Sequence, residues 1–198
     1  MWQHVDASVR NRAEPGATTQ RRTPARTTMP LQRPPSPLAQ RRFRDAMAQF
    51  ATGVTIVTAR APDESFVGFT ANSFNSVSLD PPLVIWSLAR RSRSLAAFEG
   101  AERYAVNVLA HDQIELARRF SKPHADRFAG VDFRRGEAGA PLIEGCVAWL
   151  ECRHHALHPA GDHMLFVGEV EACAYRAAAP LLWHGGRYQI SRPHPESG

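Results

Sequence analysis

The chain has 198 residues, of which 43% are hydrophobic and 22% charged, with a formal net charge of +5. This composition supports a globular core and excludes collagen, a continuous coiled coil and a wholly disordered chain. The longest apolar stretch, residues 81–89, is far shorter than the ~18 residues a membrane-spanning helix needs. We expect no membrane partner, and a first segment without an apolar region favours a cytoplasmic location over secretion.

Residues 1–37 differ in composition from the rest of the chain. They contain six of the fifteen prolines and six Arg, but only one Asp and one Glu. Such a segment cannot offset the entropy of ordering by burial. We therefore predict a disordered extension over 1–37, one domain over 38–192 and a flexible tail over 193–198. A start at Met29 is an alternative interpretation. Because most of the excess positive charge lies in the extension, we expect no nucleic-acid partner.

The domain begins with a helical pattern. Phe43, Ala46, Met47 and Phe50 recur at the spacing of one helix face, which predicts an amphipathic helix ending near Gly53. A hairpin follows, with strands over 54–61 and 66–70 around a turn at 62–65. The other predicted strands cover 83–88, 104–109, 147–155, 164–175 and 181–190, and the other predicted helices cover 92–99 and 113–120.

The order of these elements indicates the fold class. Strands dominate and do not alternate with helices in the βαβ manner, and no GxGxxG motif is present. The pattern therefore favours a mainly β fold with short helices, in the form of an antiparallel barrel whose ends the helices fill.

Small and hydroxyl residues follow the second predicted strand, in the uncharged segment 67–78. Thr, Asn and Ser offer neutral donors and acceptors, and Gly68 and Ala71 allow a ligand to approach the backbone. This chemistry suits a flat ligand with a mixed donor and acceptor edge, such as an isoalloxazine ring. The same residues are also typical of an ordinary Ser/Asn-rich turn.

Two basic segments are candidate anion sites. Residues 90–94 read Arg-Arg-Ser-Arg-Ser just ahead of a predicted helix, where free N–H groups, hydroxyls and guanidinium groups suit a phosphate. Residues 118–121 add two Arg and a Phe at the end of another predicted helix. A solvated turn and a solvated helix end are the alternative interpretations.

The histidines and cysteines do not form a recognisable metal site. His154 and His155 are adjacent, so on a strand they point to opposite faces. The three cysteines form no CxxC pair, and we interpret them as reduced core residues. Because no Ser/His/Asp arrangement stands out either, the polar candidates point to chemistry carried by a cofactor.

Ordered motifs along the chain resemble the flavin reductase family, whose fold is the FMN-binding split barrel. They read FR at 43–44, FATGVTIVT at 50–58, GFTANSF at 68–74 and SVSLDPPLV at 76–84. They continue as YAVNVL at 104–109, RFAG at 127–130, GDH at 161–163 and GEV at 168–170. The resemblance covers about residues 40–191, nearly all of the predicted domain.

The resemblance implies a homodimeric antiparallel split barrel that acts as an NAD(P)H-dependent flavin reductase. Members are the reductase components of two-component flavin-dependent monooxygenases. A hydride would pass from NADH or NADPH to N5 of FMN or FAD, and the reduced flavin would leave for a separate oxygenase. The alternative is a non-catalytic flavin-binding or electron-carrier protein on the same barrel.

The resemblance also implies roles for individual residues. The isoalloxazine and ribityl chain are expected to contact Phe66, Val67, Gly68, Phe69, Thr70, Asn72 and Ser73, with Ser87, Leu88 and Ala89 beside the ring. The phosphate is expected at Arg93 and Ser94, joined by Arg119 and Phe120. His163, the catalytic candidate, is expected to face the nicotinamide, with Tyr188 closing that side.

Overall fold

The computed structural model describes residues 36–122, 126–192 and 194–196. The predicted extension lies outside the described residues up to position 35, and so do residues 193, 197 and 198 of the predicted tail. These two predictions remain untested. The first described element begins where the extension was expected to end, with Ser36 accepting a capping hydrogen bond from the Ala39 N–H at 3.2 Å.

Three helices and twelve strands make up the described part of the chain. The helices are α1 (Pro37–Met47), α2 (Leu95–Gly100) and α3 (Ile114–Ser121). The strands are β1 (Thr52–Gly53), β2 (Thr55–Arg60), β3 (Phe66–Ala71), β4 (Asn75–Leu79), β5 (Pro82–Ala89), β6 (Arg103–Val108), β7 (Phe133–Arg135), β8 (Pro141–Ile143), β9 (Ala148–Ala160), β10 (His163–Tyr175), β11 (Leu181–His184) and β12 (Arg187–Ile190). Within this part of the chain, no helix combines the length and apolar character needed to cross a membrane.

A seven-stranded sheet forms the body of the fold, in the order β3-β2-β6-β9-β10-β5-β4. Every neighbouring pair in it is antiparallel. The sheet curls so far that Phe69 on β3 packs against Trp86 on β5, with ring centroids 5.4 Å apart. The prediction of a mainly β, antiparallel split barrel with short helices is confirmed.

The barrel core follows from the alternation along β5. Val84, Trp86 and Leu88 are buried, while the residues between them are half-buried. Trp86 pairs in register with Phe166 on β10, and their rings stack with centroids 3.9 Å apart. This aromatic centre holds the inner faces of the sheet together.

A second core lies between the sheet and α3. Ala117 and Phe120, one turn apart on α3, are both buried. They pack with Ile56, Leu109 and other buried residues. The helix predicted over 113–120 is thus present with the expected buried face, and it covers the side of β3 that turns away from the barrel core.

Some predicted elements differ from the structure. The first helix ends at Met47, well before Gly53, because residues 52–53 pair as β1 with Leu182 and Trp183 of β11. The single strand predicted over 181–190 is two strands around Gly185 and Gly186, whose φ angles of 59° and 75° form a tight turn.

Candidate functional site

Two adjacent cavities open at the end of β3. The larger, about 610 Å³, is lined by Met47 at the end of α1, by Phe50 just beyond it and by the loop after β3. The smaller, about 310 Å³, reaches toward α3 and β12. Because Asn72 and Trp183 line both cavities, the two form one two-lobed space, which we call the cleft.

The cleft brings together four residues singled out in the sequence: Thr70, Asn72, Ser73 and Tyr188. The Thr70 hydroxyl is fixed by donating to the Ala117 carbonyl oxygen at 2.7 Å. Asn72 is exposed, and within the described residues its amide has no hydrogen-bond partner. The cleft therefore offers an uncharged amide, with both donor and acceptor atoms, to an incoming ligand.

Ser73 and Ser87 are directly connected. The Ser73 hydroxyl accepts from the Ser87 N–H at 3.0 Å and lies 3.3 Å from the Ser87 carbonyl oxygen. Ser87 and Ala89 are half-buried on the outer face of β5, whereas the Leu88 side chain between them is buried in the barrel core. Leu88 can therefore offer a ligand only its backbone.

The side chains of β3 pack on both faces of the strand. Val67 and Phe69 join the barrel core. On the other face, Phe66 packs against Phe128 and Phe133, with centroids 5.9 Å and 5.3 Å away. These side chains shape β3 and do not line the cleft.

Gly68 and Phe120 lie in close contact on that second face. A Cβ added at Gly68 would come within 2.8 Å of the Phe120 Cε1 atom. The Phe120 side chain is itself buried in the second core. Phe120 therefore supports the strand and has almost no surface to offer a phosphate.

The other residues expected at the phosphate are spread over two segments. Arg93 is exposed, and Ser94 is half-buried just before α2, where its side chain makes no capping bond. The Arg119 guanidinium donates to the Ala129 carbonyl oxygen at 2.7 Å. Within the described residues, no hydrogen bond connects Arg119 to Ser94.

Arg127 joins the candidate site although the sequence analysis gave it no role. Its Nη1 donates to the Gly68 carbonyl oxygen at 2.7 Å and lies 3.5 Å from the Ser94 Oγ. Burial lowers the pKa of this guanidinium. The RFAG motif at 127–130 was the one sequence signal that pointed to it.

His163 begins β10 and pairs with Ala89 of β5, two residues beyond Ser87. Its Nδ1 lies 2.7 Å from the Asp162 Oδ1, and this hydrogen bond lowers the pKa of the Asp162 carboxyl. The imidazole is 42% exposed and does not line the cleft. Among the described residues, no three His, Cys, Asp or Glu side chains gather as metal ligands.

Trp183 is a further residue that the sequence analysis missed. It lines both lobes of the cleft and packs against Tyr188 with centroids 4.9 Å apart. The two residues face each other across the β11–β12 hairpin, where they are a cross-strand pair. Burial raises the pKa of the Tyr188 phenol, which favours its neutral form.

Comparisons with known proteins identify flavin reductases as relatives of this chain. The family model described as "Flavin reductase like domain" matches residues 47–192. The FMN reductase (NADH) SmoA of Agrobacterium fabrum is 47% identical over 148 residues, which cover 75% of this chain and 84% of that protein. The reductase subunit HsaB of a flavin-dependent monooxygenase from Mycobacterium tuberculosis is 40% identical over 156 residues, covering 77% and 83%.

A solved structure supports the same relationship. The NADH:FAD oxidoreductase SgcE6 of Streptomyces globisporus, in complex with NAD and FAD fragments, superposes with a TM-score of 0.75. It is 38% identical, and the match covers 84% of this chain and all of that one. Some relatives are longer: the chain spans 49% of a probable flavin reductase of Rhizobium meliloti.

Proposed function

The chain belongs to the flavin reductase family, and from that premise we propose that it transfers a hydride from NADH or NADPH to N5 of FMN or FAD. The observation that carries the proposal is the two-lobed cleft, whose lining residues, apart from Arg44, lie within the span matched by the family model. Its lobes of about 610 and 310 Å³ have the size of pockets that take cofactors. A non-catalytic carrier is not favoured, because the relatives are named reductases.

We assign the flavin ring to the region around Asn72 and Ser73, where the two lobes meet. The Asn72 amide is free to donate to and accept from the edge of the ring. Trp183 and Tyr188 offer aromatic surfaces against which a flat ligand can pack. We assign to the residues of this region the roles of orienting the flavin and excluding water.

We assign the flavin phosphate to Arg93 and Ser94, with Arg119 as a further cation, and the nicotinamide to His163. The role of His163 is to position the dihydronicotinamide, and the Asp162 carboxylate orients its ring through the 2.7 Å hydrogen bond. Because the ring site at Asn72 and Ser73 offers neutral side chains and no residue is assigned a covalent bond to the flavin, we expect flavin to bind reversibly and to leave after reduction.

The acceptor of the reduced flavin is proposed to be a separate monooxygenase component. Support comes from HsaB, which is named as the reductase subunit of a flavin-dependent monooxygenase. A protein that releases reduced flavin requires such an acceptor, because free reduced flavin is otherwise reoxidised by molecular oxygen in solution.

We also propose that the protein is a homodimer, and α1 provides the support. Its Leu38, Phe43 and Met47, with Phe50 just beyond, are between 55% and 67% exposed. An isolated helix of this length is marginal in water, so this apolar face requires a cover. Phe43→Asp should lower the mass found by sedimentation from that of a dimer to that of one chain, whereas Arg41→Asp, on the opposite side of the same helix, should not.

The proposed activity is tested by steady-state kinetics with each of the four pairs of NADH or NADPH and FMN or FAD. With excess free flavin, the protein should oxidise many equivalents of at least one nicotinamide per chain. Oxidation that stops at one equivalent would support the carrier instead, and no oxidation with any pair would contradict the proposal.

A further inference from the structure

Arg127 contacts segments from both ends of the seven-stranded sheet. β3 is one edge of this sheet, and Ser94 follows β5, the strand next to the other edge. The Arg127 Nη1 donates to the Gly68 carbonyl oxygen at 2.7 Å and lies 3.5 Å from the Ser94 Oγ. Its Nε donates to the Lys122 carbonyl oxygen at 3.2 Å. One guanidinium therefore connects β3, the segment after β5 and the end of α3.

The charge of this guanidinium is not balanced within the described part of the chain. Arg103, Arg118 and Arg153 each form an ion pair with a glutamate, whereas none of the described carboxylates pairs with Arg127. Arg127 is also half-buried. A cation partly removed from water is stabilised by a nearby anion, so this position favours a negatively charged ligand.

The geometry leaves donors available for such a ligand. Nη1 and Nε are engaged with carbonyl oxygens, but Nη2 donates to none of the described residues. The rigid fork of a guanidinium allows one side to hold the protein while the other side binds an oxyanion. A lysine at this position has a single ammonium group and does not provide both functions at once.

We propose that Arg127 is the residue that makes the site prefer a phosphorylated flavin. Its guanidinium holds Gly68, in the strand that leads to the ring site, and lies beside Ser94, where the phosphate is assigned. The ligand class is therefore a flavin mononucleotide or dinucleotide, and riboflavin lacks the group that Arg127 recognises. This inference rests on the proposed function and names a specificity-determining residue for it.

The test compares FMN with riboflavin, which differ only by the phosphate. Dissociation constants are measured by flavin fluorescence for the full chain, for Arg127→Met and Arg127→Lys, and for the control Arg134→Met. Arg134 is an exposed cation near Glu144, outside the cleft. Arg127→Met should weaken FMN binding roughly tenfold to a hundredfold, as expected for loss of a charged hydrogen bond, and riboflavin binding less than about threefold.

Two further readouts separate recognition from folding. Arg127→Lys should recover part of the preference for FMN, because it restores the charge. At saturating FMN, kcat of Arg127→Met should stay within about threefold of the parent, since the phosphate is remote from N5. If Arg127→Met fails to fold, the preference for FMN over riboflavin, taken as the ratio of the two dissociation constants, is compared between Arg127→Lys and the parent. A smaller preference in Arg127→Lys supports the proposal, and an equal preference overturns it.

An equal loss of affinity for both flavins, or an unchanged FMN affinity, would overturn the role of Arg127. Failure of the proposed function has a different signature. In that case the parent protein binds FMN more tightly than riboflavin but oxidises no nicotinamide. A parent that binds both flavins equally would overturn the inference while leaving the reductase activity intact.

Discussion

The Ser73 hydroxyl makes two hydrogen bonds to the Ser87 backbone, as the backbone of a paired strand residue would. It accepts from the Ser87 N–H at 3.0 Å and donates to the Ser87 carbonyl oxygen at 3.3 Å. Regular pairing of β4 with β5 reaches only as far as Asn75 opposite Ile85. The loop that lines the cleft is thereby anchored to β5 by one hydroxyl, next to Asn72.

Replacing Ser73 by Ala removes both hydrogen bonds and frees this loop. We expect KM for flavin to rise roughly three- to tenfold and the free energy of unfolding to fall by about 1 kcal/mol. Steady-state kinetics and urea denaturation measure the two effects. Ser76→Ala, an exposed hydroxyl in the neighbouring strand, is the control and should change neither.

Trp183 should report directly on ligand binding, because it lines both lobes of the cleft. FMN should quench its emission, and Trp183→Phe should remove most of that quenching. The control is Trp149→Phe. The Trp149 indole donates to the Ile143 carbonyl oxygen, away from the cleft, so this substitution should leave the quenching in place. Trp183→Ala should also raise KM for flavin about three- to tenfold through lost aromatic packing. Undiminished quenching in Trp183→Phe would place the flavin elsewhere.

His163 tests the nicotinamide side of the proposal. His163→Ala should raise KM for the nicotinamide and lower its kcat/KM by roughly tenfold, because hydride transfer depends on close positioning. FMN affinity should change less than twofold. Asp162→Asn, which weakens the hydrogen bond to Nδ1, should produce a smaller change of the same kind. Unchanged nicotinamide kinetics in His163→Ala would remove this residue from the site.

Gly68 is required by the contact with Phe120. Gly68→Ala would bring a methyl group to within 2.8 Å of the Phe120 ring, so we expect a loss of about 1–3 kcal/mol in the free energy of unfolding. Adding Phe120→Leu should restore part of it, which a double-mutant cycle measures. Gly53→Ala is the matched control, because nothing lies within 4 Å of a Cβ there.

His154 should make the stability depend on pH. Burial against Tyr104 and Phe166 lowers its pKa from the ordinary value of 6.5, so the unfolded chain binds this proton more readily than the folded one. The free energy of unfolding should therefore be level above pH ~6.5 and fall below it, by up to ~1.4 kcal/mol per pH unit. Denaturation between pH 5 and 7 checks this. The fall should disappear in His154→Phe and persist in His155→Phe.

The hairpin of β2 and β3 was predictable because its signals are local. β-branched residues flank a turn in which Asp63 accepts from the Ser65 N–H and hydroxyl. Of the four strand ends predicted over 54–61 and 66–70, three differ from the observed ends by one residue and the fourth, at Phe66, is the same. The helix at α3 was predictable for the same reason, since Ala117 and Phe120 repeat at helical spacing.

The features that the sequence analysis did not predict depend on contacts between residues far apart in the chain. β4 is an edge strand in which three of the five residues are Asn or Ser, with little strand propensity, and its partner β5 specifies it. Arg127 meets Gly68 across 59 positions of sequence, through the curvature of the sheet. Trp183 enters the cleft because β11 pairs with β1, which no periodicity within 181–190 encodes. The motif resemblance pointed to residues that line the cleft, among them Asn72 and Ser73, but it gave no information on which side chains turn inward.

The hydrogen bond from Arg127 to Gly68 has a consequence for solubility. β3 is an edge strand, and its six residues, Phe66–Ala71, carry no charge. Such a segment is a template for a strand from another molecule unless something blocks its free edge. A carbonyl oxygen bound to a guanidinium is no longer available to an incoming strand, and the cation repels its equivalent on a second molecule. The hydrogen bond in this way protects the free edge of β3 against pairing with a strand of another molecule.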